Sequence, residues 1–279
     1  NYTFAGSTGT FTALTTPTNP ALSAGDVDDG YFNNIPIGFD FWYMGTRYTT
    51  ISASTNGWLT LGANITDASY TRDIVSGGAP RPVLAPLWDD LHLQVATNVS
   101  YRVTGSSPNR IFTIQYLNVR WNYTATGNTI SFQTKLYEGT GKVEFVYRPE
   151  TGALASASAH IGITATSTGA GNFLSVTNAG TGVNSTTAQS VTTKPVSGRT
   201  YGFTPPIPTA PGSLTFTGVS GTAMTLNWSD LSSNERGFVV YSSSDGVNYS
   251  FASQTAAGIT SSVQSGLTAG LTYYWKVYA

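Results

Sequence analysis

Ile51-Ser52-Ala53-Ser54-Thr55-Asn56-Gly57-Trp58-Leu59-Thr60-Leu61 reads as two short strands joined by a tight turn. Thr, Ile, Trp and Leu suit a pleated, half-buried surface. Asn56-Gly57 is the pair that most readily supplies the two positive φ values of a two-residue hairpin loop. A chain organised by such turns is a β protein, and the neighbouring sequence repeats the signal.

Downstream, Ile130, Phe132, Thr134 and Leu136 alternate with Ser131, Gln133 and Lys135. The turn Glu138-Gly139-Thr140-Gly141 then leads to Val143, Phe145 and Tyr147 alternating with Lys142 and Glu144. This period of two predicts a hairpin with one buried face. Between Arg110 and Trp121 the apolar positions are even at Phe112, Ile114 and Tyr116, then odd at Leu117, Val119 and Trp121. A regular strand cannot bury both sets on one face, so a bulge is expected near Tyr116 and Leu117. Residues 63–81 and 153–193, rich in Ser, Thr, Gly and Ala, read as loops mixed with short strands.

Thr204-Pro205-Pro206-Ile207-Pro208-Thr209-Ala210-Pro211-Gly212 places four prolines within seven residues. Proline fixes φ and offers no N–H, so this stretch reads as a stiff extended connector. The expected division is therefore a large domain over 1–204, a linker over 205–212 and a smaller domain over 213–279. No repeat of 20–50 residues is apparent. A chain of 279 residues can bury a substantial core without staples.

Charged residues make up 10% of the chain, 13 Lys and Arg against 14 Asp and Glu, for a formal net charge of -1. Such balance gives no electrostatic footprint for nucleic acid or an anionic membrane. Thr, Ser, Gly and Asn fill the polar positions, as on an extracellular β surface. The absence of Cys excludes disulfides, thiolate metal sites and Cys nucleophiles. No apolar run reaches membrane-span length. The start at Asn1, without Met or a charged-then-apolar leader, reads as a mature chain after signal removal.

Several blocks in order resemble a nidogen-type extracellular domain. They are Ile35-Pro36-Ile37-Gly38-Phe39-Asp40-Phe41, Tyr48, Ser54-Thr55-Asn56-Gly57-Trp58-Leu59, Val83-Leu84-Ala85-Pro86-Leu87-Trp88-Asp89-Asp90-Leu91, Phe132-Gln133 and Gly141-Lys142-Val143-Glu144-Phe145-Val146-Tyr147. Residues 211–279 resemble a fibronectin type III domain. Leu214 and Phe216, Leu226-Asn227-Trp228, Gly237-Phe238-Val239-Val240-Tyr241, and Gly266-Leu267 followed by Tyr273-Tyr274-Trp275-Lys276-Val277-Tyr278-Ala279 match its strands A, B, C, E and F. In that match Trp228 is the core tryptophan and Tyr273 the corner tyrosine, and the last strand, G, is missing. The resemblance implies an all-β chain: a large antiparallel sandwich followed by a smaller immunoglobulin-like one lacking its last strand. It also implies a secreted, extracellular or cell-surface location and adhesive or matrix work, as in secreted proteins of Bacteroidota-type bacteria. It supplies no catalytic residues.

The residues offer little chemistry. Asp26-Val27-Asp28-Asp29-Gly30 superficially resembles a calcium loop, but Gly30 is fifth rather than sixth and Ile37 holds the twelfth position, so an EF-hand fails. Asp26, Asp28 and Asp29 stay as weak Ca²⁺ candidates, against the plainer reading of a solvated turn; no other metal or cofactor is expected. In Trp88-Asp89-Asp90-Leu91-His92 the two carboxylates should point to opposite faces, which does not suit a glycosidase pair; a hydrogen-bonded structural Asp is expected. His160 reads as a lone strand histidine. No Gly-x-Ser-x-Gly, His-Glu-x-x-His or P-loop pattern occurs, and the chain is read as a non-enzyme.

Most of the six Trp belong to cores on this reading. Trp42 and Tyr43, adjacent after Phe41, should send one ring inward and the other outward as a weak ligand platform. Two functions remain: an adhesive or structural surface protein, self-associating into a filament or binding other matrix proteins, and a carbohydrate-binding accessory region of a larger secreted hydrolase. The open edge at Tyr273, Trp275 and Val277 has three readings: the protein continues past Ala279, a strand from another subunit fills the place, or the edge stays open. For the second, the segment with Tyr2, Phe4 and Phe11 is a plausible donor, its plainer role being the first strand of its own domain.

Overall fold

A computed structural model describes residues 2–77 and 80–279. Backbone packing divides the chain into two units, residues 1–205 and 206–279. Nearly all regular structure is β strand, as the alternation and turn chemistry require.

The first unit holds two large sheets. The seven-stranded sheet runs β1 (Thr3–Thr8), β15 (Arg199–Thr204), β10 (Val143–Pro149), β9 (Ile130–Tyr137), β8 (Ile111–Trp121) and β6 (Leu91–His92), with β7 (Val99–Thr104) also paired to β8. The eight-stranded sheet runs β13 (Val183–Asn184), β12 (Phe173–Val176), β11 (Ala159–Thr164), β5 (Val83–Trp88), β4 (Leu59–Leu61), β3 (Thr46–Ser54) and β2 (Tyr31–Tyr43), with β14 (Ser190–Val191) joined to β11. Their inner faces share one apolar core that includes Phe112, Tyr116, Phe132, Phe145 and Phe203 from one sheet and Phe41, Ile51, Leu84, Leu87 and Ile161 from the other.

Buried tyrosines tie the two layers together. Tyr116 on β8 donates its hydroxyl to the Ser54 carbonyl at 2.7 Å, and Tyr147 on β10 donates to the Pro86 carbonyl at 2.5 Å. Each ring fills apolar space and each polar tip finds an acceptor, which is how tyrosine becomes tolerable in a core. Burial pushes both hydroxyl pKa values upward.

The bulge in β8 falls where the change of parity requires it, with the register slipping between Tyr116 and Val119 and Asn118 at φ +58°. The displaced backbone is satisfied: Asn118 N–H donates to Ser131 Oγ at 2.8 Å and the Leu117 carbonyl accepts from Asn98 Nδ2 at 2.8 Å. Two expectations need correction. The hairpin of β9 and β10 is covered on both faces, because residues 11–14 lie over the polar face: Gln133 Nε2 donates to the Thr12 carbonyl at 2.7 Å, and Leu14 N–H to Gln115 Oε1 at 3.0 Å. The turn after β3 is also longer than a two-residue loop. Ser54 N–H bonds the Trp58 carbonyl, Gly57 N–H bonds the Ser54 carbonyl, and only Gly57 takes a positive φ, +73°. A Cβ there would lie 2.1 Å from the Leu87 carbonyl oxygen, so glycine is required for space as well as for conformation.

Outside the eight-stranded sheet, residues 63–77 help to close a second small core around Trp58, Trp88, Ile65, Ile74 and Phe173. Trp58 and Trp88 pack at 5.4 Å between centroids. Both indole N–H groups donate to the Ser69 carbonyl, at 3.2 and 2.9 Å.

The second unit is a small sandwich of two three-stranded sheets. One is β16 (Gly212–Thr217), β17 (Ala223–Ser229) and β20 (Ser261–Ser265); the other is β19 (Ser250–Ala256), β18 (Gly237–Ser243) and β21 (Tyr274–Tyr278). Leu226, Trp228, Phe238 and Val240 form its core, with Trp228 against Phe238 at 5.5 Å. The Tyr273 hydroxyl accepts the Thr268 N–H at 3.0 Å, the back-bond of a tyrosine corner. This is a two-sheet sandwich of immunoglobulin-like pattern, with β21 its last strand among the described residues.

Candidate functional site

The Ser54–Trp58 loop acts as a clasp between two acidic segments. Thr55 N–H donates to the Gly30 carbonyl at 2.9 Å, Gly30 N–H donates to Thr55 Oγ1 at 2.9 Å, and Asn56 Nδ2 donates to Asp29 Oδ1 at 2.9 Å. Asn56 Oδ1 accepts the Leu91 N–H at 2.9 Å. One loop thus holds residues 28–30 beside the turn between β5 and β6. Asp28, Asp29 and Asp90, distant in sequence, become electrostatic neighbours there.

The carboxylates of this corner differ by surroundings. Asp26 Oδ1 accepts the N–H groups of Asp28 at 2.9 Å and Asp29 at 3.0 Å, and these bonds hold its pKa below the usual range. Asp28 has one buried oxygen without a hydrogen-bond partner, and desolvation raises its pKa while His92 opposes the rise. Asp90 is pushed up to about 6, first by desolvation and then by the charges of Asp28, Asp29 and Asp89. The three calcium candidates therefore do separate work. Asp26 closes its own turn, Asp29 is gripped by Asn56, and among the described residues no three acidic or histidine side chains converge to hold a metal.

Asp89 is the hydrogen-bonded structural residue expected at this strand end. Oδ2 accepts Trp121 Nε1–H and Ser158 N–H, both at 2.8 Å, and Oδ1 lies 3.3 Å from Arg72 Nη1. Asp89 is buried in its own hydrogen bonds, whereas Asp90 is half-buried beside Asp28 and Asp29. His160 Nδ1 accepts the Ile74 N–H at 3.3 Å, and burial lowers its pKa.

Trp42 and Tyr43 divide between outside and inside as their adjacency requires. Tyr43 is core, its hydroxyl donating to the Thr164 carbonyl at 2.9 Å, while Trp42 is half-buried opposite Arg47. Tyr43 is thereby withdrawn as a ligand residue. The N-terminal segment expected as a strand donor is occupied within its own unit. Thr3–Thr8 pairs along β15, Tyr2 packs on Tyr43 at 5.3 Å, Phe4 packs on Phe203 at 5.5 Å, and Arg148 covers the Phe11 ring at 4.8 Å. The apolar spacing that suggests a donor is the spacing of an edge strand at home.

In β21, Trp275 and Val277 pack toward the small core and Tyr273 forms the corner, so the side chains that reach solvent are Tyr274, Lys276 and Tyr278. Alternation along a strand decides this. Neither Asn56 as a clasp nor the Asp28–Asp90 proximity has a local signal, because both depend on long-range pairing.

Topology defines the class: a two-unit all-β protein, a large double-sheet sandwich followed by an immunoglobulin-like one. The chain belongs to the NIDO-related family, whose pattern matches residues 1–205. No curated protein matches it. Among solved structures it is similar to a two-domain fibronectin type III segment of chicken tenascin (11% identity, 63% of this chain and 87% of that one, TM-score 0.24). It is similar also to the chicken CNTN1 fibronectin domains (11%, 63% and 90%, 0.25) and to a β-1,2-glucanase from Parabacteroides distasonis (11%, 64% and 31%, 0.21). Scores this low leave the fold assignment to rest on the strand topology. No helix is long and apolar enough to cross a membrane among the described residues.

Proposed function

We propose that this chain is an extracellular structural or adhesive protein that associates with copies of itself or with other surface proteins through its C-terminal unit. The observation that carries the proposal is where apolar surface stands exposed. Ten of the fourteen large hydrophobic or tyrosine side chains exposed among the described residues lie from Ile207 onward, although that part is about a quarter of the chain. Single exposed apolar side chains are ordinary, and it is their concentration in one unit that supports an interaction role for it.

Tyr278 is 51% exposed and Val263 69% exposed, on the two outer faces of the small sandwich. The first unit supports the reading differently: its core is closed by cross-sheet tyrosines and a doubly covered sheet, which suits a rigid spacer. Electron microscopy of the concentrated protein, together with adsorption to matrix-coated surfaces, tests the proposal. Polymers or saturable adsorption are expected, and dispersed monomers that adhere to nothing would refute it.

A further inference from the structure

The edge strand β2 slips in register against β3 between Phe32 and Ile35. Asn33 turns inward there, its amide bonding Ile65 at both ends, with Nδ2 to the carbonyl at 3.0 Å and Oδ1 from the N–H at 2.9 Å. Asn34 is left exposed at φ +58°. A bulge of this kind re-aims a side chain. Asn34 points it at a groove of about 360 Å³ walled by Pro20, Pro36 and Tyr101 and edged by Asn19 and Ser23.

Asn19 Nδ2 is fixed to the Thr97 and Val99 carbonyls, at 3.2 and 3.1 Å, which orients the amide and leaves Oδ1 as an acceptor. Ser23 Oγ accepts the Asn33 N–H at 2.9 Å and keeps its own proton to donate. Tyr101 is held by ring packing on Phe112 at 5.9 Å, and its backbone pairs with Thr18.

We infer that this groove binds a neutral carbohydrate. None of the residues lining it is charged, so neither an anion nor a cation finds a counter-charge. Amides and hydroxyls both donate and accept, as sugar hydroxyls do. The tyrosine ring and the two prolines supply apolar surface for the C–H face of a pyranose. The volume falls within the range of small-ligand pockets, about 300–1,000 Å³. The inference gives the adhesive reading a ligand class, yet the groove lies wholly in the first unit and its test does not depend on self-association.

The test is an array of neutral oligosaccharides built from glucose, galactose, mannose and N-acetylglucosamine, with sialylated and sulfated glycans as charged controls, followed by calorimetric titration of the retained sugar. Asn34→Gly removes the amide and suits the positive φ; Tyr101→Phe removes only the hydroxyl and keeps the ring. Retention of a neutral glycan is expected, with affinity falling about tenfold in the double variant and Tm unchanged. An array blank for neutral sugars, binding confined to charged glycans, or full affinity in the double variant would overturn the inference. Failure of the polymer and matrix assays would count against the adhesive reading alone.

Discussion

Asp90 sits where the clasp brings carboxylates together, and its pKa of about 6 lies above the ordinary value of 3.8. A raised acid pKa means that the folded state binds the proton more tightly than the unfolded chain. The charge therefore destabilises the fold at neutral pH, and that cost is relieved as pH falls from about 6 towards 3.8. Thermal unfolding should show stability rising through this window, and Asp90→Asn should raise Tm at pH 7.5 and flatten the profile; an unchanged profile would refute the account of the corner. The cross-sheet tyrosines make a second residue-scale prediction. Tyr116→Phe and Tyr147→Phe should each cost about 1 kcal/mol in denaturant unfolding by removing a buried hydrogen bond between the sheets, whereas truncation to Ala at either site should cost several times more.

At the level of elements, Gly57 tests the clasp most sharply. Gly57→Ala meets both a positive φ and the Leu87 carbonyl, so a loss of at least about 2 kcal/mol is expected by chemical denaturation. Deleting residues 1–14 should lower the stability of the large unit by about 3–5 kcal/mol, since Tyr2 and Phe4 leave the core and Gln115 and Gln133 lose their cover; a deletion that left Tm unchanged would restore the segment as a donor strand. What the sequence made legible was local. Alternation located β9 and β10, and the parity change located the bulge of β8. The blocks around Trp58 and Trp88 pointed to the family. Asn56-Gly57 was legible as a turn but not as a three-residue loop, because its form is set by the bonds of Thr55 and Asn56 to segments about 25 to 35 residues away. The polar face of β9 looked solvated because nothing local indicates that residues 11–14 return to cover it. The acidic corner was half legible: Asp26 to Asp29 stood out as a cluster, whereas Asp90 joins them only through long-range pairing. The groove beside Asn34 gave no signal, since a bulge at Asn33 is visible only against the register of β3.

Across the whole molecule, the contrast between a sealed first unit and an apolar-surfaced second unit is what the functional proposal uses. The low charge of the chain, a formal -1, offers little repulsion to oppose association, so contact through apolar area should dominate and should persist at high salt. Sedimentation velocity over a concentration series is the most direct measurement of this claim, comparing the full chain with a variant carrying Val263→Ser and Tyr278→Ser. The account predicts concentration-dependent association of the unaltered chain, insensitive to added salt and strongly reduced in the double variant; a single monomeric species for both chains at every concentration would contradict it.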